Sequence, residues 1–166
     1  ESPLIQDPYD SLKLAWTYLM FTDGPVLIYY GDEIGLPGYH DPDNRQMMKF
    51  DNQLNDHEES VLEHVQKLTN IRKENRIHFF GDRSIWWGTP DENVLAIATS
   101  TFSGGSIVVV NRSYDEQTIQ NTLDWAGLPN NATYLDKLTG EEFEPSDDLL
   151  SVTIPARSSR VLIWNP

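Results

Sequence analysis

The run GPVLIYYGDEIG at residues 24–35 carries an apolar and aromatic stretch onto two adjacent carboxylates, Asp32 and Glu33. Paired carboxyl groups can serve as nucleophile and general acid/base. Successive residues of a strand point to opposite faces, so neighbours at a strand end cannot converge on one bond without a sharp break in the chain. The spacing therefore favours hydrogen-bonded or ion-paired scaffold. In the following DPDNR loop, Asp41 and Arg45 stand four positions apart. They offer an acceptor and a planar donor fork suited to hydroxyl groups. The competing reading is a surface turn in which Asp41 or Asp43 pairs with Arg45, worth under about 1 kcal/mol if exposed.

Other side chains with chemical potential read more plainly as structure. Tyr29 and Tyr30 fit a core strand, and Trp86 and Trp87, as strand neighbours, place one indole inward and one outward. The outward indole either packs or offers a stacking surface. His40, His57, His64 and His78 lack metal-ligand spacing, since no partner four positions away completes a site around His57 and His64. The absence of cysteine removes disulfides, thiolate metal sites and thiol nucleophiles, and leaves the compartment open. Asn111-Arg-Ser and Asn131-Ala-Thr match the glycosylation pattern by chance in a chain rich in these residues. No metal and no cofactor is expected.

The net charge of −14 is spread along the 166 residues and repels nucleic acid and anionic membranes. No apolar run reaches membrane-spanning length, and the amino-terminal residues lack the pattern of a signal peptide.

The elements that must position these residues change period midway. Leu12, Ala15, Trp16 and Leu19 predict a helix over 10–22 with Asp10 as N-cap, and VLIYY then predicts a strand buried on both faces. Asn55 and Glu58 predict a capping box, followed by a helix through Val61, Val65, Leu68 and Ile71 to about Asn75. Beyond Arg76 the pattern alternates, giving candidate strands at 83–87, 94–101, 106–111, 117–123, 133–138, 150–154 and 159–164. That number of short strands predicts an antiparallel sandwich or barrel. A strand apolar on both faces cannot bury itself between two helices, so residues 1–75 read as a piece of a larger α/β sheet. A complete eightfold barrel takes about 250 residues.

GPVLIYYGDEIG resembles the eighth-strand segment of the alpha-amylase family of glycoside hydrolases, through Gly24, Pro25, Tyr29, Tyr30, Gly31, Asp32, Glu33 and Gly35. DPDNRQMM is similar to the next loop in the cyclomaltodextrinase and neopullulanase group, although Gln46-Met47-Met48 lacks the proline frequent there. VVVNRSYDEQ, YLDKLTGEEFE and IPARSSRVLIW are similar to the carboxy-terminal β domain of these enzymes. The resemblance implies the last helix-strand-helix of a (β/α)8 barrel at 1–75 and an all-β antiparallel sandwich at 76–166. It implies a retaining hydrolase of alpha-glucosidic bonds, with an alpha-glucan or maltooligosaccharide as substrate of the complete enzyme. Retention needs two carboxyl groups about 5–5.5 Å apart. In the family these come from earlier strands whose motifs have no match here, so no catalytic residue is assigned and the isolated chain is expected to be inactive. Asp41 and Arg45 are the implied substrate-binding residues. The incomplete barrel implies self-association. The alternative is a non-catalytic carbohydrate-binding or bracing module.

Overall fold

The structure, a computed structural model, describes residues 3–76, 80–88 and 92–164, with only the backbone for residues 3–6. Two helices, α1 (Pro3–Met20) and α2 (Asp56–Glu74), precede eight strands: β1 (Asp82–Trp87), β2 (Val94–Thr101), β3 (Gly104–Asn111), β4 (Gln117–Thr122), β5 (Tyr134–Asp136), β6 (Glu142–Phe143), β7 (Leu149–Ile154) and β8 (Ser158–Trp164). The strands form an antiparallel sheet of order β1-β2-β3-β8-β5-β6 and a second pair, β4-β7. All seven expected strands are present, and the short β6 is additional. Its two residues are too few to show alternation in sequence.

The six-stranded sheet is covered on both sides. Ala96, Ala98, Ile107, Val109 and Leu162 face Ile119, Leu150, Val152 and Ile154 of the smaller sheet, with Trp86 and Tyr134 in the same core. On the opposite side Val108, Val161 and Ile163 meet Trp16, Met20 and Phe21 of the α1 region and Val61, Val65, Leu68 and Ile71 of α2. The helices thus supply the second apolar surface that buries β3 almost throughout and the middle of β8 from Arg160 to Ile163.

The capping box of α2 forms as expected: Asn55 Oδ1 accepts from the Glu58 N–H at 3.0 Å, and Glu58 Oε2 accepts from the Asn55 N–H at 3.0 Å. Burial opposes the Glu58 charge, but hydrogen bonds from Lys49 and the Asn55 backbone prevail and hold its carboxyl below the ordinary value. Helix α1 starts at Pro3, so Asp10 is an interior residue rather than an N-cap. The helix runs through Pro8, a residue that removes a helix hydrogen bond, and tertiary contacts hold its first turns. Asp7 pairs with Arg157 at 2.6 Å, and Tyr9 stacks on His57. At the other end Arg72 of α2 donates to the carbonyl of Met20, the last residue of α1, and to those of Thr22 and Gly24 in the segment after it.

Residues 25–29, expected as a paired strand, carry no regular secondary structure. A strand needs ladder partners, and no strand of the described residues lies beside it. Leu27 is 90% exposed and Tyr29 55%, so the two tyrosines do not enter a core in this chain.

The β5–β6 turn is fastened to β8 by a buried ion pair. Asp136, fully buried, accepts from Arg160 Nη1 at 3.0 Å, the Val161 N–H at 3.0 Å, the Leu138 N–H at 3.0 Å and Thr139 Oγ1 at 2.7 Å. Asp136→Ala leaves the Val161 and Leu138 N–H groups without their acceptor, while Arg160 keeps Glu141 at 2.7 Å, and is expected to cost about 2–4 kcal/mol, read by urea unfolding of both chains. A loss under about 1 kcal/mol contradicts this role.

Candidate functional site

The GDEIG segment folds as a 3-10 turn at Asp32–Ile34 between Gly31 (φ 92°) and Gly35 (φ 68°). Both glycines take left-handed backbone, which side chains with a Cβ rarely adopt. Glu33 Oε2 accepts from the Gly31 N–H at 2.8 Å, Trp16 Nε1 donates to the Asp32 carbonyl at 3.1 Å, and Ile34 is buried. The Asp32 carboxyl is raised above its ordinary value, first by partial burial and second by the Glu33 charge. Glu33 is therefore engaged in closing its own turn, while the Trp16 contact docks that turn on α1.

The chain then crosses to a second 3-10 turn, Asp43–Arg45. Here Arg45 Nη2 donates to Asp41 Oδ2 at 3.0 Å, with side-chain exposures of 68% and 63%. Tyr30 donates to the Gln46 carbonyl at 3.3 Å and so ties the loop back to the segment before it. The structure thus brings the two sequence-selected residues together, facing solvent on a loop that follows GPVLIYYGDEIG. At this exposure the pair adds little stability.

Trp86 and Trp87 depart from the alternating pattern. Ile85 pairs with Ile97 and Trp87 with Ala96, so Trp86 is the extra residue of a β-bulge. Trp86 is 1% exposed and donates Nε1 to the Thr122 carbonyl at 2.9 Å, while Trp87 packs, partly buried, on the same core. The outward residue of this strand is Ile85, 62% exposed. Asn111 is likewise buried, its Nδ2 donating to the carbonyls of Asp115, Ile154 and Pro155, so its match to the glycosylation pattern marks a strand-end clamp.

Among the described residues no group of three or more His, Asp or Glu side chains is placed to hold a metal ion. His40 packs against Tyr39 and His57 against Tyr9; His78 lies outside the described residues. His64 lies between the helices and β8, its Nε2 2.9 Å from Thr17 Oγ1, which is itself 3.0 Å from Ser159 Oγ. No described helix is long and apolar enough to cross a membrane.

A pocket of about 550 Å³ runs between α1 and the outer face of β1–β3, lined by Leu14, Tyr18, Ile85, Leu95, Val110 and Arg112 among others. None of Asp32, Glu33, Asp41 and Arg45 lines it. A smaller pocket of about 390 Å³ holds an exposed indole that sequence reading passed over, Trp125, beside Asp82, Asp124 and Ser100. Its only signal in sequence is an aromatic residue inside the turn-rich LDWAGLPNN.

No protein-family model matches the chain. It is 31% identical over 144 residues to a cyclomaltodextrinase of Geobacillus thermopakistaniensis, a match covering 87% of this chain and 24% of that protein. It is 29% identical over 153 residues to neopullulanase 2 of Thermoactinomyces vulgaris, covering 92% of this chain and 25% of that protein. The crystal structure of an alpha-amylase from Geobacillus thermoleovorans, complexed with acarbose, superposes with a TM-score of 0.83 at 23% identity over 96% of this chain and 34% of that one. The shared architecture is that of a carboxy-terminal region: two helices packed on an antiparallel sandwich. The chain is related to this region of the alpha-amylase family, in its cyclomaltodextrinase and neopullulanase group. It spans about a quarter of the length of these curated relatives.

The His64 environment gives a pH signature. Burial first, then the charges of Lys13 and Lys67, lower its pKa to about 4 against a bond to the Lys13 backbone that raises it. The unfolded chain, with an ordinary histidine near 6.5, then binds more protons than the folded one between these values. Stability from this group is full above about pH 6.5 and falls as pH drops toward 4, by up to about 3 kcal/mol. His64→Gln is expected to flatten the pH dependence of urea unfolding in that window; an unchanged slope contradicts the assignment.

Proposed function

We propose that the chain is the carboxy-terminal portion of a retaining glycoside hydrolase acting on alpha-glucosidic bonds of starch-derived oligosaccharides. Residues 1–75 contribute the end of its catalytic (β/α)8 barrel and residues 76–166 its β-sandwich domain. The observation that carries this reading is the solvent-facing Asp41–Arg45 pair on the loop after GPVLIYYGDEIG. In a completed barrel that loop follows the carboxyl end of a strand, the face on which active sites of the fold are built. The Arg45 fork donates to sugar hydroxyls and Asp41 accepts from them, an exchange for which their mutual bond holds both in place. The printed names of the relatives and the acarbose complex of the structural neighbour support an alpha-glucan substrate.

The catalytic carboxylates belong to the earlier barrel strands on this reading. Glu33 is engaged by Gly31, and the adjacent Asp32 does not form an opposed pair with it. The isolated chain is expected to give no turnover of maltotriose. A chimera that replaces the corresponding carboxy-terminal region of the Geobacillus cyclomaltodextrinase with this chain is expected to be active. In it, Arg45→Ala should raise KM for maltotriose about tenfold or more, the loss of a charge-assisted hydrogen bond. Turnover by the isolated chain, or a KM unmoved by the substitution, refutes the proposal.

The uncovered apolar residues of 24–30 support association of the isolated chain with itself. Light scattering at tens of micromolar concentration is expected to read a mass above that of one chain, and Leu27→Lys with Tyr29→Lys to return it to monomer. A parent that remains monomeric contradicts this expectation.

A further inference from the structure

We propose that the pocket around Trp125 is a second carbohydrate-binding site, a platform for one end of an alpha-glucan chain, separate from the Asp41–Arg45 loop. The inference rests on the alpha-glucan reading above for its choice among sugars. The pocket itself is defined by the sandwich. Asp82 and Ser100 are directly opposed across β1 and β2, and Ser84 follows on the same face as Asp82. The 3-10 turn Asp124–Ala126 lies over this pair, close enough that a Cβ on Gly127 would stand 2.9 Å from Ser100 Oγ. Ala126 anchors the turn in the core, while Trp125 is turned out and half exposed. Asn130 Nδ2 donates to Asp124 Oδ1 at 2.7 Å and fixes that carboxylate at the rim.

The chemistry selects a neutral polyhydroxylated ring. An indole face offers a stacking surface for the C–H face of a pyranose, two carboxylates accept from hydroxyl donors, and Ser84 and Ser100 both donate and accept. Arg83, the cation of the pocket lining, reaches Asp23 at 3.4 Å. A net charge of −14 with two carboxylates in the pocket works against phosphate, nucleotide and anionic lipid.

The test is calorimetric titration of the full chain with maltoheptaose, cellopentaose and choline, together with tryptophan emission. Of the five tryptophans, Trp16 and Trp86 are buried, Trp87 and Trp164 partly buried and Trp125 half exposed, so a change in emission on ligand addition that disappears in Trp125→Ala locates the ligand. Saturable binding of maltoheptaose is expected, weakened at least about tenfold by Trp125→Ala at unchanged thermal stability and partly retained in Trp125→Phe. Asp82→Asn is expected to weaken it as well. No saturable binding by the parent, binding untouched by Trp125→Ala, or binding of choline in place of the sugar overturns the site. Absent binding beside a chimera that turns over maltotriose refutes this site while keeping the enzymatic reading on which it rests.

Discussion

Burial of the β3–β8 pair on both faces is the constraint on which the rest of the structure depends. One face belongs to the sandwich core, and the other must be closed by Trp16, Met20, Val61, Val65 and Leu68 of the helical segment. Removing the helices would expose Val108, Val161 and Ile163 to water, at roughly 25 cal/mol per Å² of apolar surface. The helices and the sandwich are consequently joined through a common apolar core. Arg72 extends this coupling: by binding the carbonyls of Met20, Thr22 and Gly24 it fixes where the chain leaves the helix and enters the segment at residue 24.

That coupling positions the candidate site. Trp16 sits in the helix-sheet core and also donates to the Asp32 carbonyl, so the turn at Asp32–Ile34 is referenced to the sheet through one side chain. Tyr30 carries the reference onward to Gln46 beside the Asp41–Arg45 loop. The adjacent carboxylates that draw the eye in sequence are part of this linkage. Asp41 and Arg45 on the following loop stay exposed and mutually paired, and they are the residues proposed to meet the sugar.

Much of the architecture was legible because local patterns and tertiary needs agree. Alternation marked seven strands, and the Asn55–Glu58 pair marked the start of α2, since each feature is satisfied within a few residues. Errors fell where distant partners decide. Asp10 reads as an N-cap, whereas α1 starts at Pro3 and its first turns are held by Arg157 and His57. Trp86 and Trp87 read as opposed until a bulge inserts Trp86 between two register pairs. VLIYY reads as a strand from its composition alone, and pairing depends on neighbours that the described strands do not supply. Asp41 and Arg45 were found from residue type and spacing. The Trp125 pocket depends on a cross-strand pair meeting a remote turn, a juxtaposition that sequence order does not reveal.

The central proposal is that residues 24–30, irregular in this chain, take up a strand when the earlier strands of a barrel lie beside them, with the proposed sugar-binding loop at its end. Amide hydrogen exchange across this segment tests it most directly, comparing the isolated chain, held monomeric by dilution, with the chimera carrying the relative's barrel. The account predicts rapid exchange at Leu27, Ile28 and Tyr29 in the isolated chain and strong protection in the chimera. Equal protection in the monomer, or rapid exchange in both, would contradict it.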